Sequence, residues 1–300
     1  METSSGMTPS NRNSGLVNID GEITPIAEGR IPVLDHGFLF GDSIYETMRT
    51  YDQKPFLFSR HFDRLCRSAR AVFMDIPWNR DRMRAEVLRT IAAAGNGGEH
   101  RVRVTITRGT GDVSPDPASC DAPSTIIFAT PLPNLPKAVY ENGVDVIVSS
   151  FYRSRQLGDA KTGNLLRSVL ALREAKAAGA FEAITLTSEG KISDGITSNV
   201  YLVQDSTVLT PSAESGILEG ITRAVVLDLA KRAGLNVVEK LLDVHEIDKA
   251  SESFFTSSTR GVVPIVRVSG KTIGSGKPGA ITRQIMQAYD REIETLLAED

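Results

Sequence analysis

Two short stretches, Asp159-Ala160-Lys161-Thr162-Gly163-Asn164 and, further along, Ile192-Ser193-Asp194-Gly195-Ile196-Thr197-Ser198-Asn199, decide how this chain is read. The first follows Gly158 and sets a lysine just ahead of an apolar helical pattern, Leu165, Leu166, Val169 and Leu170. That spacing predicts an amine emerging from a packed apolar wall. The second sets a carboxylate in a tight Gly/Ser/Thr turn before a strand. Taken singly, neither says much: an isolated lysine is usually solvated, and Ser-Asp-Gly is a common turn. Taken together, they supply an amine able to attack a carbonyl and a carboxylate able to hold a cationic ring nitrogen.

The rest of the composition bounds the problem. Three hundred residues exceed what one hydrophobic core usually serves, so two lobes are expected. The chain is 41% hydrophobic, 24% charged and 6% aromatic, which is ordinary for a globular protein. A net charge of −3 gives no electrostatic case for nucleic acid or an anionic membrane. No apolar run approaches the ~20 residues of a membrane span. The two cysteines, Cys66 and Cys120, and the scattered His36, His61, His100 and His245 form no disulfide framework or metal-ligand spacing. That usage suits a reducing cytoplasm and no metal. Residues 1–14 are polar and read as a flexible tail without a signal-peptide core.

Along the chain, Asp20-Gly21 predicts a hairpin between Leu16–Ile19 and Glu22–Pro25. Alternation predicts a strand from Ser43 to Tyr51, with Ser43, Tyr45, Thr47 and Arg49 on one face and Ile44, Glu46 and Met48 on the other. Helical spacing of Phe62, Leu65, Ala69, Val72 and Phe73 predicts a helix over Arg60–Met74, and a second runs from Asn79 to Ala94. Strands are expected at Arg101–Arg108 and Ser124–Ala129. Thr130–Pro136 carries three prolines in seven residues and reads as a stiff connector. The expected organisation is thus residues 15–130 as a smaller domain, 131–137 as linker and 138–300 as a larger one. In the second half, strands are expected at Val144–Ser149, Ala183–Thr187, Val200–Val203 and Thr207–Thr210. Helices are expected over Asn164–Ala178, from Gly220 to Ala233 and over Ala280–Leu297. No repeat or low-complexity block is visible.

Further segments join the opening two. They are Asp35-His36-Gly37-Phe38-Leu39-Phe40-Gly41-Asp42-Ser43-Ile44-Tyr45-Glu46, His61-Phe62-Asp63-Arg64-Leu65, Gly220-Ile221-Thr222-Arg223 and Thr256-Ser257-Ser258-Thr259. In type, order and spacing the whole set, from about Val17 to about Leu297, resembles the fold-type IV (class IV) pyridoxal phosphate (PLP)-dependent aminotransferases. The resemblance is nearest to branched-chain amino acid aminotransferases and includes features of D-amino-acid aminotransferases. It implies a two-domain α+β/α/β fold, with a small N-terminal α/β domain and a larger C-terminal pseudo-barrel that binds PLP. It also implies a homodimer in which N-terminal loops of one subunit border the other's pocket.

The same resemblance assigns roles. Lys161 would carry PLP as a Schiff base and shuttle the substrate proton. Asp194 would hold the pyridine nitrogen, with Ser198 and Asn199 beside it. Arg64, the Gly220-Ile221-Thr222 helix start and Ser258-Thr259 would enclose the phosphate, since a helix N-terminus attracts anions and a guanidinium pairs with them bidentately. Phe38, Tyr45 and Arg103 would face the substrate, with Arg103 near its carboxylate. Four departures from the family pattern stand out. Aspartate occupies position 194, where most relatives have glutamate, and Arg101 stands where a companion tyrosine to Arg103 is usual. Leu165 stands where branched-chain enzymes often carry a tyrosine. Gly111-Asp112-Val113-Ser114-Pro115 lacks the carboxylate-trapping arginine or histidine of typical D-amino-acid enzymes. The implied function is transamination between an amino acid, branched-chain L-amino acids first, and a 2-oxo acid such as 2-oxoglutarate. A D-amino-acid or (R)-amine aminotransferase, an aminodeoxychorismate lyase and a non-catalytic PLP-binding protein are the alternatives.

Overall fold

The computed structural model describes residues 14–95, 97–152 and 160–299. The expected tail over 1–13, Gly158 and Asp159 ahead of Lys161, and Asp300 lie outside the described residues. The chain divides into two compact units. One holds the chain through Pro133 together with Lys161–Asn164 and Glu299; the other holds the remainder from Asn134 to Ala298.

The first unit contains β1 (Leu16–Ile19), β2 (Glu22–Pro25), α1 (His36–Phe40), β3 (Ser43–Tyr51), β4 (Lys54–Pro55), α2 (Phe58–Ala71), α3 (Arg80–Ala94), β5 (His100–Thr107) and β6 (Ser124–Pro131). The strands form one sheet in the order β2-β1-β6-β5-β3-β4, with antiparallel neighbours. Alternation fixes which face each side chain takes. Ile44 and Met48 of β3 and Val102, Val104 and Ile106 of β5 join Phe58, Phe62 and Leu65 of α2 and Met83, Val87 and Ile91 of α3 in one buried cluster. Tyr45, Thr47 and Arg49 pair across the strands with Thr105, Arg103 and Arg101 on the opposite face. Glu46 falls on the helix-covered face and is 1% exposed, so it requires a buried partner.

Two expectations change here. The helix expected to reach Met74 ends at Ala71. Arg108 donates hydrogen bonds to the carbonyls of Val72 and Phe73, and Phe73 turns to a positive φ of 51° with 92% exposure instead of joining the core. The stretch read as a connector from Thr130 is strand through Pro131, and Pro136 starts α4.

The second unit contains α4 (Lys137–Asn142), β7 (Val144–Val148), α5 (Leu166–Ala177), β8 (Glu182–Leu186), β9 (Ile192–Gly195), β10 (Asn199–Gln204), β11 (Thr207–Pro211), α6 (Ile221–Arg232), β12 (Asn236–Lys240), β13 (Glu252–Ser257), β14 (Gly261–Val268), β15 (Lys271–Thr272) and α7 (Ala280–Leu297). Its sheet runs β12-β11-β10-β13-β14-β7-β8-β9, with β15 on β14. The strands read as continuous apolar runs because they are buried: Val200, Leu202, Phe255, Val263 and Ile265 line one core. Among the described residues, the apolar positions expected to form a wall after Lys161 are not buried. Leu166 and Val169 of α5 are 66% and 59% exposed, and its buried residues are Ala171 and Ala175. Among the described residues no helix is long and apolar enough to cross a membrane.

Candidate active site

In the first unit, Lys161 is held as if it were one more strand residue beside β3. The Tyr45 N–H donates to the Lys161 carbonyl at 2.9 Å, the Gly163 N–H donates to Ser43 O at 2.7 Å, and Ile44 and Thr162 form a β-bridge. Gly163 allows this approach, since a Cβ there would lie 2.0 Å from Ser43 Oγ. The Lys161 N–H donates to Ser68 Oγ on α2 at 3.0 Å. Backbone anchoring on both sides aims the side chain: Lys161 Nζ lies 3.4 Å from Tyr45 Oη and 4.4 Å from the centre of its ring.

The Tyr45 ring also carries Arg103, whose guanidinium carbon sits 3.8 Å from the ring centre. Arg103 Nε donates to Thr105 Oγ1 at 3.1 Å, while its two terminal nitrogens meet no partner among the described residues. Burial pushes the Arg103 guanidinium below its ordinary value, opposed by Tyr45 and assisted by Arg101. A half-buried cation with open donors, on the ring that the lysine amine also meets, is a receiver for a carboxylate. The other expected substrate-facing residue, Phe38, lies on α1 and is 65% exposed.

Arg64, 2% exposed, donates from Nε and Nη2 to the two Glu46 oxygens at 2.7 and 2.8 Å, and His61 Nδ1 lies 2.7 Å from the same carboxylate. Burial alone would raise the Glu46 carboxyl. The Arg64 charge and hydrogen bonds, then those of His61, outweigh it and hold Glu46 well below the usual carboxylate range. Burial lowers His61, against the pull of Glu46. This triad escaped the sequence reading, although a glutamate at an apolar-face position between Ile44 and Met48 was its signal.

In the second unit, Asp194 stands on β9, with the turn following at 196–198 rather than containing it. It is 2% exposed; Oδ1 accepts from Asn199 Nδ2 at 2.8 Å and Oδ2 from the Leu218 N–H at 2.7 Å. Asn199 also donates to Leu218 O at 2.7 Å and packs on Gly220, where a Cβ would fall 2.0 Å from its Oδ1. Asn199 therefore ties the carboxylate to the loop that opens α6. Gly220 is the α6 N-cap and brings no side-chain cap, and the first intrahelical bond comes from the Ala224 N–H. The Ile221, Thr222 and Arg223 N–H groups are thus free of helical acceptors, and Thr222 lies inside the helix instead of capping it. Ser258 and Thr259 sit half-buried in the turn between β13 and β14, their hydroxyls without partners among the described residues. Ser198 donates its hydroxyl to Glu182 at 2.7 Å.

An uncapped helix start is the donor set an anion needs. A buried, oriented carboxylate is the acceptor a pyridinium N–H needs. The residues present therefore fit PLP.

The chain matches the family described as Amino-transferase class IV over residues 43–268. It is 34% identical over 282 residues to a provisionally named branched-chain-amino-acid aminotransferase of Methanocaldococcus jannaschii, covering 93% of this chain and 96% of that one. It is 31% identical over 277 residues to the D-alanine aminotransferase of Bacillus licheniformis, covering 92% and 96%. Among solved structures, the branched-chain amino acid aminotransferase of Escherichia coli superposes with a TM-score of 0.87 at 29% identity, over 93% of this chain and 95% of that one. A second branched-chain amino acid aminotransferase, from T.th. and solved with pyridoxamine 5′-phosphate, superposes at 0.88 and 27% identity, over 94% and 95%. The fold is the two-domain α+β fold of these fold-type IV enzymes. A lysine amine aimed by β3, a buried carboxylate behind an uncapped helix start and a match over most of the chain lead to one family: this protein is a class IV aminotransferase.

Proposed function

We propose that this aminotransferase uses PLP to move an amino group from a branched-chain L-amino acid to a 2-oxo acid such as 2-oxoglutarate. The observation carrying this reading is Arg103, stacked on Tyr45 with open terminal donors, on the ring that also touches the Lys161 amine. In this reading Lys161 would hold the cofactor's aldehyde carbon and Asp194 its pyridine nitrogen. Arg64, the first turn of α6, Ser258 and Thr259 would hold its phosphate. Bound PLP supplies an electron-withdrawing ring that makes the amino donor's α-proton removable. Once the donor's amine has displaced it from the aldehyde carbon, the free Lys161 Nζ would take that proton and return it, oriented by Tyr45 Oη. Arg103 binds the carboxylate of a dicarboxylic acceptor, and Asn199 keeps Asp194 in one orientation.

The test is to load the purified protein with PLP and add L-leucine, D-alanine or (R)-phenylethylamine singly, without an acceptor, while following visible absorbance. Loss of absorbance with L-leucine alone supports this reading. Loss with D-alanine alone replaces it with the second reading, a D-amino-acid aminotransferase. That reading is favoured by the D-alanine relatives and by Asn164-Leu165-Leu166. In the branched-chain reading, Arg103→Ala raises KM for 2-oxoglutarate roughly tenfold to a hundredfold, corresponding to the ~1.5–3 kcal/mol of a hydrogen bond to a charged group. The KM for a monocarboxylic 2-oxo acid changes far less.

We further propose that two copies associate, because Ile31, Val33 and Leu34, with Phe38 and Phe40 of α1, leave an apolar segment exposed on the single chain. Sedimentation at micromolar concentration is expected to give twice the chain mass, and Val33→Asp with Phe38→Ser to lower it.

A further inference from the structure

Glu182 of β8 is a carboxylate, 2% exposed, for which the proposed chemistry has no direct use. It stands at the junction of two turns. Its Oε1 accepts from the Thr197 N–H at 2.8 Å and Ser198 Oγ at 2.7 Å, with Thr197 Oγ1 at 3.5 Å. Its Oε2 accepts from Arg260 Nη1 at 2.6 Å. Arg260 in turn donates from Nη2 to Thr197 Oγ1 at 2.8 Å and from Nε to Ser257 Oγ at 3.0 Å, and its guanidinium lies 5.5 Å from the Phe181 ring centre. Gly195 makes room for this knot, since a Cβ there would meet Ser198 Oγ at 2.1 Å and Glu182 Oε1 at 2.8 Å.

One of the turns leads into Asn199, the residue that orients Asp194. The other carries Ser258 and Thr259. The β10–β13 ladder ends at the Asn199–Thr256 pair, so Thr197 and Ser198 in one turn and Ser258 and Thr259 in the other lie beyond it, and the second turn is closed by the Ser257–Gly261 pair of β13 and β14. We propose that Glu182, with Arg260, is a positioning residue that sets the distance between the carboxylate side and the phosphate side of the cofactor site, and so tunes cofactor affinity. The inference rests on the PLP reading above. It involves no bond making or breaking at Glu182.

The experiment compares the full chain with Glu182→Gln, Arg260→Gln, the double variant and Arg260→Lys. Each is stripped of cofactor, titrated with PLP to obtain Kd, and melted in the cofactor-free state. Glu182→Gln and Arg260→Gln are each expected to weaken PLP binding at least tenfold. The double variant is expected to be no weaker than the worse single, because both remove one shared interaction. Arg260→Lys, which keeps the charge and loses the fork, is expected to fall between wild type and Arg260→Gln. A lowered melting temperature with Kd within twofold of wild type overturns the inference, as does simple addition of the two single effects. If Glu182→Gln does not fold, the two Arg260 variants decide by the same criterion. A wild-type chain that takes up no PLP overturns the reading beneath it, whereas a binding wild type with equally binding variants overturns this inference alone.

Discussion

Lys161→Ala is expected to abolish transamination and to remove the visible absorbance of lysine-held cofactor in the same protein. Proton transfer by one positioned amine is worth about 10²–10⁴ in rate, and losing the attachment point adds to that loss. The replacement leaves the backbone anchors in place, because the Tyr45 N–H, Ser43 O and Ser68 Oγ contacts all involve main-chain atoms of Lys161 and Gly163. The variant is therefore expected to fold as the wild type does, so its inactivity will report on the amine. Tyr45→Phe separates the amine's aim from its presence. It removes the 3.4 Å Oη contact while keeping the ring under Arg103, so it should lower kcat and leave the absorbance. Turnover of Lys161→Ala at the wild-type rate would overturn the assignment of Lys161.

Glu46→Ala should produce the largest loss of stability. It strips the carboxylate from Arg64 and His61, both buried, and breaking a buried pair from one side costs about 3–5 kcal/mol. Trp78, the single tryptophan, is buried in the same cluster, so its fluorescence during urea unfolding reads this unit directly. Glu46→Leu with Arg64→Met should recover much of the loss, since apolar replacement of both partners leaves no orphaned charge. If Arg64 also binds the phosphate, that recovered protein should still bind PLP poorly. A Glu46→Ala protein as stable as wild type would show that the triad contributes nothing.

The same triad sets an acid dependence. Glu46 and His61 both titrate below their ordinary values in the native chain, so the unfolded chain takes up each proton first. Each contribution is full above the unfolded value and is lost as pH falls through the native one. Stability should begin to fall below about pH 6.5 through His61 and fall further below about pH 4.5 through Glu46. His61→Gln should flatten the upper part of that slope while leaving the lower part.

How much of this was written in the sequence depends on the range of the interactions. Strand alternation in Ser43–Tyr51 and Arg101–Arg108 separated a core face from a face bearing Tyr45 and Arg103, because a period of two is a local property of extended backbone. The order of Lys161, Asp194, Gly220 and Ser258 was enough to indicate the family, and Gly220 fell at a helix start as its spacing required. What no local pattern carried were pairings across long stretches of chain. Lys161 lies with the first unit because its main chain adds to β3, and that hydrogen bonding has no side-chain signature. Ser198 turns to Glu182, and Glu182 to Arg260, because buried carboxylates must collect donors from whatever the fold brings near. Helix α2 stops short of Met74 because Arg108, just past the end of β5, holds the Val72 and Phe73 carbonyls. The sequence by itself determined most of the elements, the two faces of β3 and β5, and the family. Only the tertiary structure decided which charges are shared, since each buried ion takes its partner from another element and the geometry of that meeting exists only once the chain has folded.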